Sequence, residues 1–178
     1  MIALRYPGWL RRFGRDTRAM AAAEMALVFP VVGFITVNVV DLGTYMYSKM
    51  QVDIAAQQAA GTVRSLCTNP SAANCGSTYL TQMQSAAQQT TLGTAVNLVG
   101  SPTESYYCAN ASGTLVLVAT PPSTPPTTCA ATVSGSTSRP GSYIGTTTAY
   151  TYAAVFPGFS VASYLSTPIQ STAWIRLQ

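Results

Sequence analysis

Sixteen consecutive residues, Met25 to Val40 (MALVFPVVGFITVNVV), carry no charge and only one strongly polar side chain, Asn38. Extended back to Met20, the apolar stretch is 21 residues long. As an α-helix at about 1.5 Å per residue it covers about 31 Å, the thickness of a bilayer's hydrocarbon core. Five arginines (Arg5, Arg11, Arg12, Arg15 and Arg18) precede it against one acid, Asp16, and account for the whole net charge of +4. The remaining 160 residues balance four basic against four acidic groups. Nucleic-acid binding needs cations clustered on a folded domain. Here they cluster just ahead of an apolar run, where they hold the N-terminus on the cytoplasmic side of a membrane.

A cleaved secretory signal would place a small-residue cut site after a short apolar core. Asp41-Leu-Gly-Thr-Tyr-Met-Tyr follows instead, and a helical pattern continues. Tyr45, Met46, Met50, Ile54, Ala59, Val63 and Leu66 recur at steps of three to five residues and are expected to form one apolar face. Asp41, Lys49, Asp53, Gln57 and Arg64 fall on the others. One helix is expected from about Met20 to Leu66, with Pro30 tolerated inside the membrane half.

Thr68 to Asn74 reads as a turn, and Ser77 as the N-cap of a second helix reaching Thr91, with Tyr79, Leu80, Met83, Ala87 and Thr90 on one face. Beyond residue 100, short β-branched and aromatic runs alternate with Gly, Pro and Ser. They predict strands over Ser105–Ala109, Thr114–Ala119, Thr127–Val133, Thr146–Phe156 and Thr167–Leu177. Pro121 to Pro126 reads as an extended loop, and Pro157 to Pro168 as a loop carrying Phe159, Val161, Tyr164 and Leu165. Tyr106, Tyr107, Tyr150, Tyr152 and Trp174 are expected to pack on sheet faces.

Four cysteines (Cys67, Cys75, Cys108, Cys129) occur in a chain with no histidine, at spacings unlike those of a zinc site. In an exported domain they are expected to form two disulfides. Pairing Cys67 with Cys75 would tie the end of the long helix to the next element, and pairing Cys108 with Cys129 would span the Pro-rich loop. Chain-entropy arithmetic gives about 2.6 and about 3.4 kcal/mol for these closures. The sequence leaves the other two connectivities open.

Catalysis finds little to work with. No histidine means no Ser-His or Cys-His nucleophile, and the glycines are too scattered for a phosphate loop. Asp41 and Asp53 would stand about 18 Å apart along one helix. Lys49, on that same helix, is the only lysine for a Ser-Lys pair. No catalytic residue, metal, cofactor, small-molecule substrate or nucleic-acid partner is expected.

Arg11-Arg-Phe-Gly-Arg-Asp-Thr-Arg-Ala-Met-Ala-Ala-Ala-Glu-Met-Ala-Leu-Val-Phe-Pro resembles the N-terminus of TadE-like minor pilins and pseudopilins of tight-adherence (Tad) pili. In that family a basic leader is removed and a Glu stands five residues into the mature chain. Mapped here, the leader is 1–19, the processing site is Ala19 and Met20, and the motif acid is Glu24. Ala19 stands where the family usually has Gly, and Met25 where it usually has an aromatic. Asp41-Leu-Gly-Thr, the Ala-rich Ile54-Ala-Ala-Gln-Gln-Ala-Ala-Gly, Ala149 to Pro157 and Thr172-Ala-Trp-Ile-Arg also resemble the family, the last two its closing hairpin.

The resemblance implies a pilin-like α+β fold, with a membrane helix over 20–40, its exposed continuation over 41–66 and a periplasmic head over 67–178. It implies a single-pass inner-membrane protein with a cytoplasmic N-terminus that can enter a surface-attachment pilus. The partners it implies are a prepilin peptidase, other pilin subunits and the Tad assembly platform. Cleavage would free an α-amine on Met20 that Glu24 of a neighbouring subunit could pair, setting the axial step between subunits. A permanently anchored scaffold or partner-binding protein of a secretion system would share the helix and head but not the processing.

Overall fold

The computed structural model describes residues 17–67, 75–120, 123–165 and 167–177. Most of the expected leader, the expected turn over 68–74 and part of the Pro-rich segment lie outside them. Helix α1 runs unbroken over Thr17–Leu66, with Pro30 inside it. Among the described residues it is the one helix long and apolar enough to cross a membrane.

The chain divides into two compact units. One comprises residues 1–44 and 153–165, the other 45–152 and 166–178.

In the second unit, the buried stripe of α1 is Tyr45, Ser48, Val52, Ala55, Ala56, Ala59, Ala60 and Val63. These positions repeat at helical spacing, but they are mostly small. The larger residues of the expected face, Met46, Met50, Ile54 and Leu66, are exposed. The correction has a packing cause. Small side chains let the helix backbone approach close enough for the Thr148 hydroxyl to donate to the Val52 carbonyl at 3.0 Å.

The second helix is also corrected. It is two pieces, α2 (Cys75–Thr78) and α3 (Leu80–Ala87), so Ser77 lies inside a short helix and not at the N-cap of a long one. Met83 and Ala87 carry its buried face into a core with Ala55, Ala59, Val63, Val96 and Ile144. A 3-10 turn over Gly93–Ala95 follows.

The sheet is antiparallel throughout: β1 (Asn97–Leu98), β2 (Thr103–Ala109), β3 (Leu115–Ala119), β4 (Gly141–Tyr150) and β5 (Ile169–Arg176). Strand β4 is central. It pairs with β5 along one edge, while β2 and then β1 share the other, and β3 lies outside β2. The inward row of β4, Ser142, Ile144, Thr146 and Thr148, is buried. Strand β4 begins five residues before its expected start and stops at Tyr150, so the last six residues of the expected strand, 151–156, lie outside the sheet. The expected strand over Thr127–Val133 is not formed. Cys129–Ala131 makes a 3-10 turn there, with Cys129 bonded to Cys108 of β2.

Two glycines permit close approaches. A Cβ on Gly76 would sit 2.0 Å from the Pro102 carbonyl oxygen, so α2 can lie against the start of β2 only without one. Gly145 pairs with Trp174 across β4 and β5 and lies beneath its indole.

Candidate functional site

Glu24 lies one helical turn beyond Met20, on the same face of α1. Both are exposed, as are their apolar neighbours Met25, Leu27 and Phe29. Ala19 is within the first turn of the helix, so the expected processing site falls inside α1.

Further along α1, two polar side chains join the helix to the 153–165 segment. The Asn38 side-chain oxygen accepts from the Val161 amide at 2.8 Å, and its amide group donates to the Phe34 carbonyl at 2.8 Å and the Phe159 carbonyl at 3.4 Å. Asp41 accepts from the Val155 amide at 2.8 Å and is 0% exposed. The placement of Asp41 away from a packed face is thereby corrected. Its carboxylate replaces the water that the loop amide would otherwise bind. A local reading misses this, because the partners are more than a hundred residues apart. The available signal was the coincidence of two polar residues at the end of an apolar run with a second, uncharged apolar segment late in the chain.

In the second unit Glu104 of β2 is 1% exposed. It accepts from the Ser142 hydroxyl at 2.7 Å and from the Cys75 amide. Its Oε2 has no hydrogen-bond partner. Burial raises its pKa above the ordinary 4.5, against the lowering effect of those two bonds. Burial likewise raises the Tyr106 phenol above 10.0, and the Glu104 charge adds to it.

Disulfides join Cys67 to Cys75 and Cys108 to Cys129, with Cα separations of 5.9 and 5.8 Å. Cys67, Cys75 and Glu104 bring potential ligand atoms within 4.8 Å of one another, but both sulfurs are consumed by the disulfide. The outward sheet face carries Tyr107, edge-on to Tyr143 at 5.8 Å and to Trp174 at 5.4 Å. Tyr152 is instead packed edge-on against Tyr45 of α1 at 5.2 Å.

An exposed apolar helix of membrane-spanning length, running into short helices and an antiparallel sheet, defines an α+β protein whose N-terminal helix is compatible with single-pass membrane anchoring. Residues 19–61 match the model of the family described as TadE-like protein, so along α1 this chain is similar to TadE-like proteins. The match begins at Ala19, includes Glu24 and ends before the head. No curated protein and no solved structure matches the chain.

Proposed function

We propose that this protein is a minor pilin or pseudopilin, a structural subunit that serves assembly of a Tad-type pilus. Residues 1–19 are a leader that a prepilin peptidase removes, and residues 20–40 anchor the subunit in the inner membrane before it is extracted. The carrying observation is Glu24, exposed on an apolar helix one turn after Met20, inside the family match. In a bundle of such helices, the α-amine freed on Met20 and the Glu24 carboxylate would be buried charges of opposite sign. Each needs the other, because an uncompensated charge in an apolar bundle is costly. The exposed row Met46, Met50 and Ile54 supports the same reading, since it extends apolar surface for helix packing beyond the membrane stretch.

The test is the mass and N-terminal sequence of the protein in envelope fractions, with and without the peptidase. A peptidase-dependent start at Met20 is expected. An intact chain in both strains would favour a permanently anchored scaffold. In a strain that processes the protein, Glu24→Gln is expected to lower its recovery in sheared pili while leaving its membrane level unchanged. Normal recovery would remove the pairing role.

A further inference from the structure

The segment 153–165, AAVFPGFSVASYL, carries no charge and leaves most of its large apolar side chains outward. Phe159 is 72% and Tyr164 is 87% exposed, with Phe156 and Val161 also exposed. Such a surface on an irregular loop is unfavourable in water, and a bilayer normally forbids irregular backbone because its amides go unbonded.

Here most of the amides are bonded within the unit. The Phe156 carbonyl accepts from Phe159 and Ser160, and the Ser160 and Ala162 carbonyls from Ser163 and Leu165. The Ser160 hydroxyl accepts from Ala162. Asp41 and Asn38 accept from Val155 and Val161, and Pro157 has no amide proton to bond.

The loop is also held at a defined level of α1. Asn38 is two residues inside the end of the apolar stretch. A cleft of about 340 Å³, lined by Pro30, Phe34, Val37, Phe156 and Phe159, lies between loop and helix. Pro30 is ten residues from Val40, about 15 Å along the axis, so the cleft reaches well into the span.

We propose that residues 153–165 form a membrane-immersed wedge. In the unassembled, anchored subunit the loop lies among the acyl chains of the leaflet on the head's side, and a lipid chain fills the apolar cleft. Lipid is the favoured occupant because the cleft has only apolar lining side chains and adjoins the stretch of α1 that would itself face lipid. This inference rests on the membrane reading of α1.

The test uses the full chain, disulfides intact, in phosphatidylcholine vesicles. Nitroxide labels go on Phe159→Cys and Val161→Cys, with Leu27→Cys as the helix reference and Thr94→Cys as the head reference. The readout is the ratio of collision rates with oxygen and with a water-soluble nickel chelate. Both loop positions are expected to match Leu27 and to exceed Thr94 several-fold. A ratio at the loop equal to that at Thr94, with Leu27 still high, would overturn the wedge and leave the anchor standing. Low collision with both reagents at the loop would mean that another protein copy covers it, which also overturns the wedge. A low ratio at Leu27 would remove the anchor and the wedge together. Phe159→Trp, which introduces no cysteine, should be quenched by lipids brominated on their acyl chains. An unquenched indole at that position would count against the proposal in the same way.

Discussion

The two units solve opposite solvent problems. Among the described residues of the unit formed by residues 1–44 and 153–165, most large apolar side chains point outward, and the polar groups Asn38 and Asp41 are turned toward the backbone they bond. In the other unit Met83, Val96, Ile144 and the alanines of α1 are buried, while most Thr, Ser and Gln side chains are at the surface. The first arrangement suits a medium with no hydrogen bonds to offer, the second suits water. The contrast shows that burial in the monomer identifies a core only where the surroundings are water.

One residue type tests the contrast directly. Met83 is 0% exposed and Met25 69%. Met83→Ala is expected to destabilise the head by about 2–5 kcal/mol, while Met25→Ala leaves head unfolding unchanged. Denaturant titration in detergent, followed by tryptophan fluorescence, checks both, and equal effects would break the distinction.

Removing the first disulfide with Cys67→Ala and Cys75→Ala is expected to cost the head about 2.6 kcal/mol in the same titration. Asn38→Ala strips the Val161 amide of its acceptor, a loss of about 1–3 kcal/mol. It should speed hydrogen exchange at Val161 and Phe159 and leave the head amides protected. Slowed or unchanged exchange there would show that the loop is held by something other than Asn38.

The smallest effect expected is the pH response of Glu104. Its folded pKa is raised, so the folded head prefers the protonated acid. Its contribution to stability is fully present below 4.5 and is lost as pH rises through the higher folded value. The melting temperature of the head should therefore be higher near pH 4.5 than at pH 8, and Glu104→Gln should flatten that slope. The chain has no histidine to add a transition in that range. A slope that survives the substitution would place the response at another carboxyl. The Tyr106 phenol acts in the same sense at higher pH: its contribution holds below 10.0 and is lost above.

The long helix was legible in the sequence because its cause is local. Uncharged apolar residues followed by an alanine-rich stretch make a helix whatever surrounds them. The strand character of much of β4 and β5 was legible for a similar reason, though their register was not. Gly141 and Gly145 look like turn residues, yet Gly145 is in mid-strand because Trp174 lies over it. The alternation from Thr148 to Val155 cannot say where the sheet ends, because β-branched and aromatic residues serve equally well in a strand and in an apolar loop. Thr127 to Val133 has strand composition, but the disulfide at Cys129 sits in a 3-10 turn.

By itself, then, the sequence determined the apolar span, its continuation to Leu66, the cluster of arginines ahead of it and the position of Glu24. These depend on residues within a few turns of one another. Tertiary structure alone decided that the helix packs on the sheet through alanines and leaves its methionines outside. It also decided that Asn38 and Asp41 bond a loop more than a hundred residues away, and that Glu104 is buried between Ser142 and Cys75. Each is a pairing across a long stretch of chain. A local pattern carries the demand for a partner, but the partner's identity is decided only when the fold closes.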